Sequence, residues 1–262
     1  MEAMLKVEKL RKQFRLSAKQ QRLEGIKAKT LTAVDELSFF AYKGEIFGLL
    51  GPNGAGKTTT LRMLATLISP DGGDAWVDGT SIRENPQGVR EKIGFLTGEL
   101  KLEEFFTPNY LFDFFAQLHR VPPEEARQRK AALFEAFGVG EFAEVKVGHL
   151  STGMRQKLSL IISVVHDPAL IIFDEPTNGL DVLTARLVTD FLLELRARGK
   201  TVILSTHIFS LVEKVCDRVG VIIGGRMVAC DKLAALTAEE SMEDRFFGLY
   251  QTWDREREER RQ

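Results

Sequence analysis

Residues 51–58 carry the strongest chemical signal in the sequence, a glycine-rich segment that ends in a lysine and a threonine. Its members are Gly51, Pro52, Asn53, Gly54, Ala55, Gly56, Lys57 and Thr58. They fit the pattern G-x-x-x-x-G-K-S/T, in which small residues let backbone N–H groups wrap closely around phosphate oxygens. Lys57 adds a point charge near the β- and γ-phosphates, and the Thr58 hydroxyl is a candidate Mg²⁺ ligand. The segment therefore predicts a binding loop for a nucleoside triphosphate.

A predicted strand precedes this loop and a predicted helix follows it, which is the order that a phosphate-binding loop requires. Residues 45–50 form a short apolar run, which predicts a buried strand. Residues 57–68 have apolar side chains at the spacing of one helix face, and a turn cluster at residues 69–73 ends that helix. The start of the helix adds its positive dipole end to the phosphate site.

A second signal is the pair of carboxylates Asp174 and Glu175, which ends an apolar strand predicted at residues 169–174. Beside a phosphate loop, Asp174 can hold Mg²⁺ through its water shell. Glu175 can act as a general base on an attacking water. Side chains alternate between the faces of a strand, so the two acids can do different jobs only because the chain turns at Pro176. The pair predicts hydrolysis of the bound nucleotide.

Three further segments point to a family. Residues 150–154 read Leu-Ser-Thr-Gly-Met and precede a helical run, and they resemble the signature usually written L-S-G-G-Q. Residues 178–181 read Asn-Gly-Leu-Asp and resemble the family's D-loop. His207 follows a strand predicted at residues 201–205. In order and spacing the motifs resemble those of ATP-binding cassette (ABC) ATPases over about residues 6–236. The residues within the motifs are similar to those in ATPase subunits of bacterial sodium- and drug-export systems.

The resemblance implies an α/β fold. It is a P-loop NTPase of the RecA-like kind, with a mainly parallel sheet, an N-terminal antiparallel β part and an inserted helical subdomain at about residues 99–165. Residues 1–236 would form the ABC ATPase domain, and residues 237–262 a charged, helical C-terminal tail. In the family two such chains meet head to tail, and each ATP is held between the phosphate loop of one chain and the signature of the other.

The resemblance also implies roles for individual residues. Lys57, Thr58 and Thr59 would hold phosphates and Mg²⁺, Glu175 would activate water, and His207 would contact the γ-phosphate. The side of the nucleotide that faces the partner would be met by Ser151, Gly153, Met154 and Asp181. Phe14 would stack on adenine, with a core phenylalanine as an equal alternative. Ser151 and Gly153 stand at a predicted helix start, so they also offer a second anion-binding end on physical grounds alone.

One position departs from the family pattern. After residues 93–96 the family usually places a glutamine that ligates Mg²⁺ and relays the nucleotide state to the membrane partner. This sequence has Thr97, Gly98 and then Glu99. Gly98 has no side chain to ligate a metal, so Glu99 takes over, or water fills the site, or the coupling differs. We favour water, because Mg²⁺ readily keeps several water ligands.

The elements that must position these residues alternate between strand and helix. Strands are predicted at residues 92–96, 169–174, 201–205 and 219–223, helices at 124–137, 184–198 and 208–217, and a hairpin at Gly224-Gly225 leads into residues 226–230. Such alternation implies a mainly parallel sheet covered on both faces. Residues 5–14 are predicted as an edge strand. The aromatic residues crowded into 110–118 are interpreted as core, and the basic segment 15–30 as a solvated loop, with a phosphate or lipid headgroup patch as the minority alternative.

Composition narrows the functional class. Hydrophobic residues make up 44% and charged residues 28% of the 262 residues, and the net charge is −1. This balance gives no overall attraction for nucleic acid or acidic lipid. The two cysteines lack metal-ligand spacing and favour a reducing cytosol. The apolar runs are shorter than the roughly 20 residues of a membrane span. We therefore expect a peripheral protein on the cytoplasmic face of the membrane, bound through a separate membrane-spanning permease.

Three hypotheses remain open. The favoured one is an ABC ATPase that binds ATP and Mg²⁺ and drives export, as a homodimer or as a heterodimer with another ABC ATPase. The second is a soluble ABC ATPase that acts on nucleic acid or ribosomes, which the near-neutral charge and the lack of a second cassette or a long coiled coil disfavour. The third is a nucleotide-gated binding module without hydrolysis. Glu175 and His207 disfavour it, and Gly98 keeps it open.

Overall fold

The computed structural model describes residues 2–17, 21, 29–97 and 102–259 of the chain. Within these ranges the elements form two sheets and a set of helices. In chain order they are β1 (Ala3–Arg15), β2 (Thr30–Tyr42), β3 (Ile46–Leu50), α1 (Lys57–Leu64), β4 (Gly72–Val77), β5 (Thr80–Ser81), α2 (Pro86–Lys92), β6 (Ile93–Leu96), α3 (Pro108–Leu118), α4 (Pro123–Phe137), α5 (Thr152–Ser163), β7 (Leu170–Asp174), α6 (Val182–Ala197), β8 (Thr201–Thr206), α7 (Phe209–Val215), β9 (Arg218–Ile223), β10 (Arg226–Lys232), α8 (Leu233–Leu236) and α9 (Met242–Glu259).

The larger sheet has the strand order β10-β9-β3-β8-β7-β6. The five strands from β9 to β6 run parallel, and β10 returns antiparallel to β9. All five residues of β3 and all five of β7 are buried, as expected for parallel strands with both faces covered. Because the carboxyl ends of parallel strands meet at one edge, the residues that follow β3, β7 and β8 lie together there. The predicted α/β class with a mainly parallel sheet is confirmed.

The smaller sheet is antiparallel, with the order β2-β1-β4-β5. The prediction that residues 5–14 form an edge strand is wrong, because β1 lies between two neighbours. Leu5 pairs with Ala41 of β2 on one side and with Val77 of β4 on the other. Leu5, Val7 and Leu10 have no exposed surface because they belong to the core that covers this face of the sheet. The strand is internal because β2 and β4 pair with its two edges.

Helix α1 is shorter than predicted. It ends at Leu64 rather than at residue 68. Thr66 has a φ of 60°, a left-handed conformation that cannot continue a right-handed helix. The apolar periodicity beyond Leu64 reflects packing of the turn that follows, since Ile68 packs against the same core as Leu61 and Leu64.

The helices between β6 and β7 build the second part of the core. Phe112 of α3 is fully buried and meets Phe134 of α4 edge to face at 5.7 Å between ring centroids. Phe137 of α4 packs edge-on against Phe191 of α6, at 4.8 Å, which ties the helices to the layer over the parallel sheet. Such edge-to-face pairs add stabilisation beyond the area they bury.

The interpretation of the aromatic segment as core is correct for Leu111 and Phe112 and wrong for Tyr110, Phe114 and Leu118. Tyr110 and Phe114 are 49% and 45% exposed. Their rings stack along the outer face of α3, with Phe106 stacked on Tyr110 at 4.4 Å. A helix that lies on a surface buries one stripe only, so Tyr110 and Phe114 share the outer stripe while residues 108, 112 and 116 face inward. Phe106, just before the helix, extends the outer row of rings.

A pair of histidines joins the helices to the sheet. The rings of His119, at the end of α3, and His166, after α5, stack at 3.9 Å with an interplanar angle of 5°. His166 Nε2 lies 2.9 Å from the carbonyl oxygen of Ile93 at the start of β6. Its Nδ1 is buried and has no hydrogen-bond partner among the described residues. Burial, followed by the charge of His119, lowers the pKa of His166 to about 4.

The C-terminal helix α9 packs against the larger sheet, with Phe246 buried and Trp253 half-buried. Across the described ranges, no helix combines the length and the apolarity needed to span a bilayer.

The lowered pKa of His166 predicts a specific dependence of stability on pH. The unfolded histidine takes up a proton near its ordinary value of 6.5 and the folded one only near 4, so stability is lost as the pH falls through that window. Of the charges that face the ring, Arg129 also opposes protonation and Asp167 favours it. In a His166→Gln chain, the drop in the free energy of unfolding between about pH 7 and about pH 4 should be smaller by roughly 2–3 kcal/mol.

Urea unfolding at a series of pH values measures this drop. The matched control is His149→Gln, which replaces a histidine that is exposed. Identical profiles for all three chains would show that His166 titrates normally when folded.

Candidate functional site

The backbone of the phosphate loop lies in close contact with β2 and β9. Gly56 has a φ of 101°, and a Cβ at this position would lie 2.3 Å from the carbonyl oxygen of Ala33 in β2. A Cβ at Gly51 would lie 2.3 Å from the carbonyl oxygen of Ile222 in β9. Only glycine fits at either place, so β2 and β9 fix the shape of the loop from outside.

Lys57 is buried inside this loop. Its Nζ donates to the carbonyl oxygens of Gly51 and Pro52, at 2.7 and 3.2 Å, and lies 3.5 Å from Oε1 of Glu175. Burial lowers the pKa of Lys57, while the carboxylates of Glu175 and Asp174 act in the opposite direction. The loop thus presents a cation with three donors, held next to a general-base candidate.

Asp174 stands at the end of β7 as the centre of an oxygen-rich cluster. Its Oδ1 accepts a hydrogen bond from the Thr58 hydroxyl at 3.1 Å and one from the Ser205 hydroxyl at 2.5 Å. Ser205 pairs with Asp174 in the register of β7 and β8 and is fully buried. The carboxylate is therefore aimed at the start of α1, beside the loop.

Glu175 follows in a left-handed conformation, with a φ of 51°. This conformation is uncommon for a non-glycine residue and costs backbone energy. It is fixed by the Glu175 N–H, which donates to the carbonyl oxygen of Ser205 at 3.1 Å. The carboxylate then lies 3.0 Å from Nδ1 of His207, on the residue after β8, and faces Lys57 on its other side. The backbone turn predicted at Pro176 therefore begins at Glu175 itself.

A second group of predicted residues meets at the starts of α5 and α6. Ser151 caps α5 by accepting from the N–H of Met154 at 3.2 Å. Asp181 caps α6 by accepting from the N–H groups of Leu183 and Thr184, at 3.0 Å each. The Thr184 hydroxyl also donates to Asp181 at 2.7 Å and is the main cause of the lowered pKa of that carboxyl.

The signature and the D-loop lie next to each other, and the signature helix also contacts the loop after the two acids. A Cβ at Gly153 would lie 3.3 Å from the Thr184 hydroxyl, so the signature and the D-loop are neighbours within one chain. Gln156, one turn into α5, donates to the carbonyl oxygen of Pro176 at 3.3 Å and so links the signature helix to the loop after the two acids.

The remaining predicted residues have mixed outcomes. Asn53 and Gly54 are exposed on the phosphate loop, Ala55 is buried, and Thr59 is half-buried in the first turn of α1. Phe14 lies near the end of β1 and is 38% exposed, so it is not the core phenylalanine that was the alternative. The Lys12 ammonium lies 5.7 Å from its ring centroid.

Some predictions fall on residues outside the described ranges. They concern Gly98 and Glu99 at the usual glutamine position, and Lys19, Arg22 and Lys27 of the basic segment. Of that segment, Arg15 ends β1 and Thr30 begins β2, and the N–H of Leu16 donates to the carbonyl oxygen of Lys29 at 2.9 Å.

Sequence reasoning missed the residues that orient the motif side chains. Ser205 holds Asp174, Thr184 holds Asp181, and Gln156 holds the loop at Pro176. Only Ser205 carried a signal in the sequence, since it ends a predicted strand that is followed two residues later by His207. A serine at a strand end is too common to stand out without the neighbouring strand beside it.

The geometry agrees with the comparison with known families. The family described as ABC transporter matches residues 34–178, which include the phosphate loop, the signature and both acids. ABC transporter ATP-binding protein NatA of Bacillus subtilis is 37% identical over 219 residues, covering 83% of this chain and 89% of NatA. The chain belongs to the ABC transporter family, of which it is an ATP-binding and ATP-hydrolysing subunit.

Two other matches support this assignment. Nod factor export ATP-binding protein I of Ralstonia nicotianae is 38% identical over 209 residues, covering 80% of this chain and 65% of that protein. A solved ATP-binding subunit of an ABC transporter has a TM-score of 0.82 and 25% identity, covering 94% of this chain and 99% of its own.

The hydroxyl of Ser205 gives a prediction for the ATPase reaction. In a Ser205→Ala chain the Asp174 carboxylate loses its shortest hydrogen bond and its orientation, so kcat should fall about tenfold. The measurement is steady-state ATP hydrolysis together with the melting temperature. The control is Ser163→Ala, which removes a buried hydroxyl that donates to the carbonyl oxygen of Leu160 away from the site. If both variants lost kcat to the same degree, Ser205 would matter for stability alone.

Proposed function

We propose that this chain drives export of a substrate through a separate membrane-spanning subunit, as one of two cassettes that close around ATP. The observation that carries the proposal is the presence of two anion-binding ends in one chain, the phosphate loop before α1 and the capped start of α5. One nucleotide phosphate chain needs only one such end. The second end is used when it faces the nucleotide of another copy. The export direction is supported by the name of the Nod factor export relative.

The first group of residues suits ATP hydrolysis. Glu175 takes the proton of the attacking water, because its carboxylate is held between the Lys57 ammonium and His207. Lys57 neutralises charge on the terminal phosphates. In this proposal His207, which is exposed beside Glu175, contacts the γ-phosphate and reports its presence to the rest of the chain.

The side chains of Thr58 and Asp174 are suited to bind Mg²⁺ as ligands. Both are oxygen ligands, they lie 3.1 Å apart, and Ser205 leaves the second carboxylate oxygen of Asp174 available. When bound, the ion supplies positive charge to the phosphate oxygens. We keep the proposal that water takes the place of the usual glutamine at Gly98.

The surface next to the D-loop supports pairing of two copies. Val182 and Leu183 open α6 directly after Asp181 and are 85% and 83% exposed. Two neighbouring apolar side chains at this level of exposure, beside a capped helix end, suit an interface that is covered on dimerisation. We propose a homodimer, in which Ser151, Gly153, Met154 and Asp181 of one copy meet the ATP of the other.

A second surface suits the membrane partner. We define the aromatic surface as Phe106, Tyr110 and Phe114, whose stacked rings follow the outer face of α3. Exposed aromatic groups of this kind are typical anchors of protein interfaces. No helix in the described part of the chain is suited to span a bilayer. In this proposal the partner supplies the spans. An apolar cytoplasmic segment of that partner fits the aromatic surface.

The nucleic-acid alternative is not favoured. The net charge of −1 provides no broad attraction for phosphate backbones. The relatives reported above are named as transporter or export proteins, and neither is named for nucleic acid or ribosomes.

The proposal is tested by purifying the tagged chain from its own cell's membranes in mild detergent. We expect a subunit with several membrane spans to co-purify in stoichiometric amount. Replacing Tyr110 and Phe114 together by alanine should lower that recovery about tenfold, because two interface aromatic groups are lost. The ATPase activity of the isolated chain should stay as it was.

The matched control is Phe40→Ala, which removes an exposed aromatic ring from β2 and should leave recovery unchanged. Recovery only from the soluble fraction, with ribosomes or DNA, would overturn the transport proposal. Recovery of a membrane subunit that the double variant binds equally well would keep transport and exclude the aromatic surface as its docking site.

A further inference from the structure

Trp253 of helix α9 packs on the hairpin between β9 and β10. Gly224 opens this hairpin with a φ of 57°, and a Cβ at Gly224 would lie 2.4 Å from Cζ2 of Trp253. The indole is flanked on α9 by Tyr250, at 6.0 Å between centroids, and by the Arg257 guanidinium, at 5.2 Å from the ring. Trp253 is half-buried, so it covers the hairpin and still meets solvent.

The same hairpin touches the phosphate loop on its other side. The N–H of Gly225 donates to the carbonyl oxygen of Ala55, inside the loop, at 3.1 Å. The carbonyl oxygen of Gly225 accepts from the N–H of Asp35 in β2 at 2.9 Å, and Arg226 forms an ion pair with the Asp35 carboxylate at 2.6 Å. One glycine pair therefore separates Trp253 from the backbone that surrounds the phosphates.

The other end of α9 is fixed near His207. Phe246 packs on Phe209 at 5.4 Å, and Phe209 opens α7 two residues after His207. The N–H of Met242 donates to the carboxylate of Glu213 in α7 at 2.9 Å. Helix α9 thus runs from the element behind His207 to the hairpin behind the phosphate loop.

The phosphate loop is sensitive to displacement of the hairpin, because it is packed tightly against its neighbours. Gly51 and Gly56 lie so close to β9 and β2 that neither admits a Cβ. Because the N–H of Gly225 is bonded to Ala55, a shift of the hairpin would move the backbone around Ala55. Displacements of about 1 Å outside the reacting groups are enough to change binding and rate strongly. A rigid indole on Gly224 limits that shift, since close-packed groups transmit displacement.

We propose that Trp253 is a positioning residue for ATP binding, which acts through Gly224 and Gly225 on Ala55 of the phosphate loop. Helix α9 lies beyond residues 34–178, the part of the chain that matches the family, and none of the motifs includes it. The proposal goes beyond the assigned activity and does not depend on the transported substrate or on the membrane partner.

The first test compares full-length chains that carry Trp253→Ala, Trp253→Phe or Tyr250→Ala. In Trp253→Ala the KM for ATP and the Kd from equilibrium dialysis with labelled ATP should both rise about tenfold, with kcat within about twofold. Trp253→Phe should recover most of the affinity. Tyr250→Ala removes a neighbouring ring of the same helix and should leave the KM for ATP unchanged. Equal effects of Trp253→Ala and Tyr250→Ala, or a loss of kcat alone, would overturn the proposal.

The second test changes Gly224, the residue of the hairpin that Trp253 contacts. Gly224→Ala adds a methyl group that meets the indole, and it should raise the KM for ATP as Trp253→Ala does. Its control is Gly79→Ala, since Gly79 also has a positive φ, 76°, but has nothing within 4 Å of its Cβ position. Both variants bear the same backbone penalty. A similar KM for both would show that the strain, and not Trp253, is responsible.

The third test needs no change at Trp253 itself. The chain has two tryptophans, so Trp76→Phe leaves Trp253 as the only source of tryptophan emission. Addition of ATP should shift or quench its emission with the Kd found by dialysis, because the loop and the hairpin move as one. Emission that does not change at saturating ATP would contradict the proposal. This test remains valid if Trp253→Ala fails to fold.

Discussion

Parallel pairing of β3, β8 and β7 is the constraint on which the site depends. These three neighbouring strands end at one edge of the sheet, where the phosphate loop follows β3, the two acids stand at the end of β7 and His207 follows β8. Hydrogen bonds of Asp174 to Thr58 and Ser205 join all three strand ends at a single carboxylate. Slipping one strand by a residue would reverse its side chains and separate these groups.

Burial gives the same groups their electrostatic character. Lys57 loses solvation inside the loop, which lowers its pKa, and Glu175 and Asp174 compensate for part of that loss. Glu175 in turn lies between Lys57 and His207 in a backbone conformation that costs energy. The strain is held by the Ser205 carbonyl, so the fully buried strand β8 stabilises the reactive loop next to it.

The sequence was sufficient for features that depend on local chemistry. The phosphate loop between β3 and α1, the two acids at the end of β7 and a helix start at Ser151 follow from residue type and spacing. The capping of α6 by Asp181 was not predicted. Features that depend on distant partners were not predictable. The internal position of β1 is set by β4, which pairs with it from more than sixty residues away. The exposure of Tyr110 and Phe114 depends on which face of α3 the other helices cover.

The central claim is that ATP is closed between two copies of this chain, with Glu175 as the base. It is tested most directly by the mass in solution of a Glu175→Gln chain with and without ATP and Mg²⁺, by light scattering. The account predicts a shift from the mass of one chain to that of two on addition of ATP, with ATP retained unhydrolysed. A Ser151→Arg change in the same chain should prevent the shift and leave ATP bound. A Glu175→Gln chain that binds ATP and keeps the mass of one chain, or that hydrolyses ATP at the unchanged rate, would contradict the account.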